Sequence, residues 1–281
     1  MKSYPSFRVC WYAVNILLIV SLGAVVYGAI WEFSTRSYLQ GFSDAIVPFS
    51  YSPEQKVEAI LAWMQHGPAR RNTTNPGSLD ARNPEDTLNY RQLLEVCGTA
   101  TNAFVNLAQS SGLRARRLLL LDDTRVSKHV VVEVLLDARW IVVDPSYHAM
   151  LRVPTGRLVT RTELRNPEIF RAATAAIPNY PSGYTYERTV HVRLGRIPLV
   201  GRYSRQMLNF LWPSWEESVN WTLLLERESF AMLTFSILLL CFSLAARSFL
   251  GWYSSHRLGI VRVRLRDQLI RAGEVLFSNY K

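Results

Sequence analysis

Cysteine is scarce in this chain, with three residues in 281. Cys10 and Cys241 fall in apolar runs near the two ends, so Cys97 stands alone between them. A disulfide within the intervening stretch is therefore excluded. An unpaired thiol in an oxidising compartment is a liability unless it is buried or does chemistry. The sequence also lacks a P-loop, a dinucleotide fingerprint, a Cys-x-x-Cys pair, a His-Glu-x-x-His helix and any internal repeat. Nucleotide-dependent, dithiol-redox and zinc-hydrolase chemistries thus have no signature here. No metal and no organic cofactor is expected.

Charge is absent from two stretches, residues 9–30 and residues 229–246. A membrane-spanning helix needs about 20 apolar residues. The first run meets that length, and the second meets it when extended past Arg247 through residues 248–253. The first run also suits a cleaved signal peptide, but it is long for one and no small-x-small site precedes Trp31, which favours a retained anchor. The formal charge of +10 is unevenly spread, with +2 before the first run, +5 after residue 246 and only +3 over residues 31–246. Arginine and lysine beyond the spans predict both termini in the cytoplasm and a central domain outside it, periplasmic in a bacterial cell. Nucleic acid is not an expected partner, because it needs a basic face on the folded domain.

The expected organisation is a cytoplasmic N-terminus and first membrane helix over residues 1–30, then an extracytoplasmic domain over 31–228. The core of that domain should occupy about residues 54–150, followed by a second membrane helix over 229–250 and a basic tail over 251–281. The tail either lies on anionic membrane lipid or is simply solvated.

Ser52-Pro53 opens a helix, with Ser52 as cap and proline in the first turn; Val57, Ile60, Leu61 and Met64 follow at helical spacing. Residues 67–86 are punctuated by glycine, proline and asparagine and read as a loop. Residues 86–95 form a short helix or turn. From Cys97 the apolar positions Ala100, Ala103, Phe104, Leu107 and Ala108 predict a helix that Gly112 ends. Three strands follow, over residues 114–121, 129–136 and 140–143, and the Leu118–Leu121 run implies burial on both faces. Further on, residues 160–170 suit a helix and 177–184 a loop. Residues 185–194 alternate like an exposed strand, with His191 on the polar side. Trp212, Trp215 and Trp221 suit an interfacial aromatic belt.

Three residues stand out together. Cys97 opens a helix, His129 heads the second strand and Asp144 closes the third. A helix N-terminus and a neighbouring imidazolium both lower a thiol pKa, and a carboxylate fixes the imidazole tautomer. The hairpin register decides whether the trio can meet. A two-residue turn at Asp137-Ala138 sets Val131 opposite Asp144, leaving His129 diagonal to that carboxylate, about 7–8 Å away at the backbone. A three-residue turn flips Asp144 to the other face. The acyl oxyanion needs donors, for which the Cys97 N–H and the side chains of Gln92 or Asn89 are candidates by proximity.

The segments Cys97-Gly98, Gly112-Leu-Arg-Ala115-Arg116, His129-Val-Val-Val-Glu133-Val134 and Trp140-Ile-Val-Val-Asp144-Pro145 resemble the hallmark of the transglutaminase-like superfamily of papain-type cysteine enzymes. The resemblance covers residues 90–150. It implies an α+β core in which a helix carrying Cys97 packs on an antiparallel sheet carrying His129 and Asp144. It also implies Cys97 as nucleophile, His129 as general base and acid, and Asp144 as orienter. Val131 departs from the family's tryptophan in the histidine strand, so that wall of the substrate slot differs.

Families of this kind include cross-linking transferases, peptidases, amidases and inactive relatives. The expected activity is attack on an amide of a protein or peptide substrate through a thioester. Hydrolysis is favoured over transfer to an amine, because water needs no second binding site. The competing expectation is a catalytically inactive binding or assembly module within a cell-envelope complex.

Overall fold

The computed structural model describes residues 5–68, 70–71, 79–192, 201–213, 215–218 and 221–258. The basic tail beyond residue 258 and part of the expected 67–86 loop lie outside the described residues. The chain divides into two compact units, one of residues 1–28 with 233–281 and one of residues 29–232.

The first unit is built from the ends of two long helices, α1 (Pro5–Ile46) and α10 (Glu228–His256). Their apolar windows have mean hydropathies of 2.3 and 2.1. Large side chains such as Val9, Ile16, Ile19, Phe235 and Phe242 stay exposed, as an apolar solvent would require. Both helices are long and apolar enough to cross a membrane. Gly28 allows a close approach between them, since a Cβ there would stand 3.1 Å from the Leu233 Cα; small residues serve this purpose between membrane helices. The first helix does not stop at the end of its uncharged run. It continues to Ile46, because Leu39 and Val47 bury themselves in the core of the second unit.

That second unit is α+β. Helix α2 (Pro53–His66) starts at a full capping box, with Ser52 Oγ accepting from the Gln55 N–H and Gln55 Oε1 accepting from the Ser52 N–H. Short helices α3 (Pro84–Asn89) and α4 (Arg91–Leu94) lead into α5 (Cys97–Ser110). Helix α5 ends where Gly112 takes φ +81°, a left-handed conformation natural to glycine. Strands β1 (Ala115–Leu121), β2 (Ser127–Leu136), β3 (Arg139–Asp144), β4 (Ala149–Met150) and β5 (Thr189–Val190) form one antiparallel sheet in the order β4-β3-β2-β1-β5. Helix α6 (Pro167–Thr174) precedes β5, and α7 (Gly201–Leu211), α8 (Trp215–Ser218) and α9 (Trp221–Glu226) follow it.

The sheet is covered on both faces. Val132, Val134, Ile141 and Val143 pack with Ile60, Leu88, Phe104 and Leu107 of the helices. Leu118, Leu120, Val131 and Val142 pack with Leu151, Leu164, Phe170 and Tyr186. The continuous leucine run in β1 is the sequence trace of this double burial.

Strand β5 is shorter than expected and not exposed. His191, just past it, is 6% exposed and its Nε2 lies 2.9 Å from Glu133 Oε2. The partner carboxylate, not the alternating pattern, turns it inward. Trp215 likewise departs from a belt position: it is 1% exposed, donates from Nε1 to Asn209 Oδ1 and stacks edge-on with Trp221.

The β2–β3 hairpin turns on two residues, Asp137 at φ 46° and Ala138 at φ 61°, between the pair Leu136 and Arg139. Two left-handed residues make a type I′ turn, for which alanine is a poor second residue. Ala138→Gly should therefore stabilise the protein by about 0.5 kcal/mol after the extra unfolded-state entropy of glycine. Denaturant midpoints of the two proteins test this. An unchanged or lower midpoint would contradict a left-handed Ala138.

Candidate active site

Cys97 is the first residue of α5, and the capping position before it is Val96, which makes no side-chain hydrogen bond. The positive end of the helix is thus left for the thiol. Cys97 is half-buried against Leu119, Leu121, Val130 and Val190. The helix is tied to the sheet beside it, where the Thr101 hydroxyl donates to the Val130 carbonyl at 3.2 Å.

His129 comes from β2 at an irregular point. Leu120 of β1 pairs with His129, but Leu121 pairs with Ser127, so Lys128 is an extra residue in the ladder. Such a bulge bends and twists a strand locally and re-aims its side chains. Asp144 closes β3. The register puts Val132 opposite Val143, which by continuation sets Val131 opposite Asp144, as a two-residue turn demands. Across that diagonal, His129 Nε2 donates to Asp144 Oδ2 at 2.7 Å, with the ring 2% and the carboxylate 0% exposed. The same imidazole also acts on the Cys97 thiol.

These contacts set the electrostatics. The His129 hydrogen bond holds the Cys97 thiol below its ordinary value against the opposing effect of burial, and backbone hydrogen bonds from Val130 and Gly98 add to it. Burial pulls His129 down, but hydrogen bonds to Asp144 and Cys97 outweigh it and push the ring up to about 9. Both shifts favour the thiolate–imidazolium form of the pair, the form that attacks carbonyls.

The two oxyanion candidates part company. Asn89, at the end of α3, uses its Nδ2 hydrogens on the Tyr38 hydroxyl at 2.9 Å and the Glu85 carbonyl at 2.7 Å. Both donors are spent, so Asn89 is removed from the site. Gln92 is half-buried on α4, the last helix before Cys97, with its amide oxygen buried.

The sequence reading missed a set of tyrosines. The Tyr180 hydroxyl donates to Asp144 Oδ2 at 2.9 Å. The Tyr184 ring stacks on His129 with centroids 4.3 Å apart and planes 7° from parallel, and Tyr147 meets the same imidazole edge-on at 6.1 Å. Tyr147 is placed by a turn in which Asp144 Oδ1 accepts from the Ser146 N–H at 3.1 Å. Burial and the nearby Tyr147 push the Tyr184 hydroxyl up to about 12, so it stays neutral. A cleft of about 310 Å³ adjoins this cluster, lined by Leu120, Leu121, Asp122, Lys128, Gly183 and Tyr184. Among the described residues, no group of three His, Cys, Asp or Glu side chains is arranged to hold a metal ion.

A second buried cluster stands on the motif residues Arg116 and Glu133. Glu133 Oε2 accepts from Arg116 Nε at 2.8 Å and from His191 Nε2 at 2.9 Å. Arg116 also covers the Trp140 ring at 3.9 Å. This cluster joins β1, β2, β3 and the segment after β5, and so braces the strands that carry His129 and Asp144.

Iodoacetamide should alkylate Cys97 rapidly well below pH 8.5, about the free thiol value. A second inflection should appear near pH 9, where His129 loses its proton. Labelling that needs prior denaturation would instead mark Cys97 as a merely buried residue.

Neither a curated protein nor a solved structure matches the chain. The sequence model of the transglutaminase-like superfamily matches residues 40–145. That span runs from the last turns of α1 through α5 and the β2–β3 hairpin to the residue after Asp144, and the part of the chain it covers belongs to the transglutaminase-like superfamily.

Proposed function

We propose that this protein is a membrane-anchored cysteine enzyme that acts on amide bonds through Cys97, His129 and Asp144. The observation that carries the reading is the buried contact of 2.7 Å from His129 Nε2 to Asp144 Oδ2, beside a Cys97 thiol that the same ring holds below its ordinary pKa. In this reading the Cys97 thiolate adds to an amide carbonyl carbon. The imidazolium of His129 then gives its proton to the departing nitrogen, the C–N bond breaks and a thioester remains. Neutral His129 next takes a proton from water as it attacks the thioester. The acid leaves, and the thiolate–imidazolium pair is restored. An amine in place of water gives acyl transfer; hydrolysis is favoured because water needs no second binding site. The Cys97 N–H and the Gln92 side chain are the proposed oxyanion donors.

The same reading puts both termini in the cytoplasm and residues 31–228 outside it, where a protein or peptide of the cell envelope is the substrate. Its support is the excess of arginine and lysine beyond the two apolar helices. The test is to label Cys97 in membranes with an electrophilic acyl probe and identify the acyl group trapped there from native material. A Cys97-linked acyl chain is the expected result. Full biological complementation by a stable Cys97→Ala protein would instead leave the fold as a binding or assembly platform.

A further inference from the structure

We propose that Tyr180, from a segment beyond the family match, is a positioning residue of the active site whose hydroxyl holds the Asp144 carboxylate in place on His129. This rests on the reading of Cys97, His129 and Asp144 as a working relay.

Asp144 is 0% exposed, so its charge depends on protein donors alone. Three donors are at hand. Oδ1 accepts from the Ser146 N–H at 3.1 Å, and Oδ2 accepts from both His129 Nε2 at 2.7 Å and Tyr180 Oη at 2.9 Å. Ser146 fixes one oxygen through the backbone. Tyr180 is the side chain that fixes the oxygen facing the imidazole. Its own ring is immobilised between Tyr147 at 4.7 Å, Tyr184 at 5.7 Å and Phe170 at 6.1 Å. Burial raises the Tyr180 pKa, so the hydroxyl keeps its proton and can only donate to a carboxylate.

The direction of its effect follows from sharing. A carboxylate that divides its charge between two donors on one oxygen attracts the imidazolium less than one with a single donor. Removing the Tyr180 hydroxyl should therefore raise the His129 pKa while loosening the ring's orientation. The other ionisable groups near this pair are Cys97 on α5, Tyr147 and His148 after β3, and Tyr184 and Tyr186 beside Tyr180. None of them changes in the substitution.

The experiment uses the full chain in detergent micelles with Cys10→Ser and Cys241→Ser, so that Cys97 is the one thiol. Iodoacetamide alkylation rates are measured from pH 4 to 11, which needs no substrate. Tyr180→Phe should move the upper inflection upward by roughly 0.5–1 pH unit, and should move nothing in an Asp144→Asn background, because Tyr180 acts through that carboxylate. Should Tyr180→Phe unfold, 3-fluorotyrosine at position 180 keeps the ring and donates more strongly, and the inflection should move down. A two-step wild-type profile that Tyr180→Phe or the fluorinated residue leaves in place would overturn the role of Tyr180 alone. A shift of equal size in the Asp144→Asn background would overturn it as well. A wild-type profile with one free-thiol inflection would sink the relay itself, and Tyr180 with it.

Discussion

His129→Ala is expected to leave a folded protein whose amide turnover is slower by about four orders of magnitude. In the proposed mechanism the ring holds Cys97 in its reactive form and supplies the proton that an amine leaving group needs. General acid–base catalysis alone accounts for about 10²–10⁴, and loss of the imidazolium lets the thiol rise towards about 8.5. The two losses can be separated. On p-nitrophenyl acetate the leaving group needs no proton, so the acylation burst should fall only by the thiolate share, while an amide donor shows the whole deficit. Cys97→Ala combined with His129→Ala should be no worse than either alone, because the groups act as one unit. Removing a ring that is 2% exposed costs stability too, about 2 kcal/mol for the cavity, but Asp144 keeps its Ser146 and Tyr180 donors. A His129→Ala protein with a burst like wild type would end the catalytic reading.

The parts of this site that could be read from sequence are those built from neighbours. Helix α5 shows its 3.6-residue pattern and its glycine stop, and the β2–β3 hairpin carries His129 and Asp144 within 15 residues. Even so, the register hung on one turn. Ala138 is a weak signal for a left-handed position, so the sequence left two registers open until the backbone settled on two turn residues. The tyrosines were hidden for a different reason. Pro178, Pro181 and Gly183 break any periodicity in their segment, and Tyr180 reaches Asp144 across 36 residues of chain. Three tyrosines at 180, 184 and 186 in such a loop were the available hint, since aromatic residues gathered in a loop need something to pack against. The outward reading of His191 failed because an alternating pattern registers polarity but not a buried partner such as Glu133. Glu32 and Arg227 were equally opaque, standing at opposite ends of the domain in sequence and in contact in space.

Arg227→Ala should be the most destabilising single change in the 29–232 unit away from the apolar core, at about 3–5 kcal/mol. Arg227 and Glu32 form an ion pair at 3.0 Å with side chains 5% and 4% exposed. The guanidinium also donates to Asn106 Oδ1 from Nε at 3.1 Å and from Nη2 at 2.9 Å. Asn106 Nδ2 in turn donates to Asn102 Oδ1 at 2.5 Å, and Asn102 Nδ2 donates to the Glu226 carbonyl at 2.8 Å. One buried cation thus anchors the middle of α5, the second half of α1 and the start of α10, where the Ser229 hydroxyl donates to Glu32 at 2.7 Å. Truncating it strands the Asn106 oxygen and leaves Glu32 with Ser229 and the largely exposed Arg36. The cost is that of an uncompensated buried charge, not the net worth of the pair. Replacing both partners, Glu32→Leu with Arg227→Met, should therefore recover most of the loss. Denaturant unfolding of wild type, Glu32→Leu, Arg227→Met and the double variant in one detergent gives the coupling directly. An Arg227→Ala loss below about 1 kcal/mol, the scale of an exposed pair, would mean that this cluster is wet and that α5 is held by its apolar face alone.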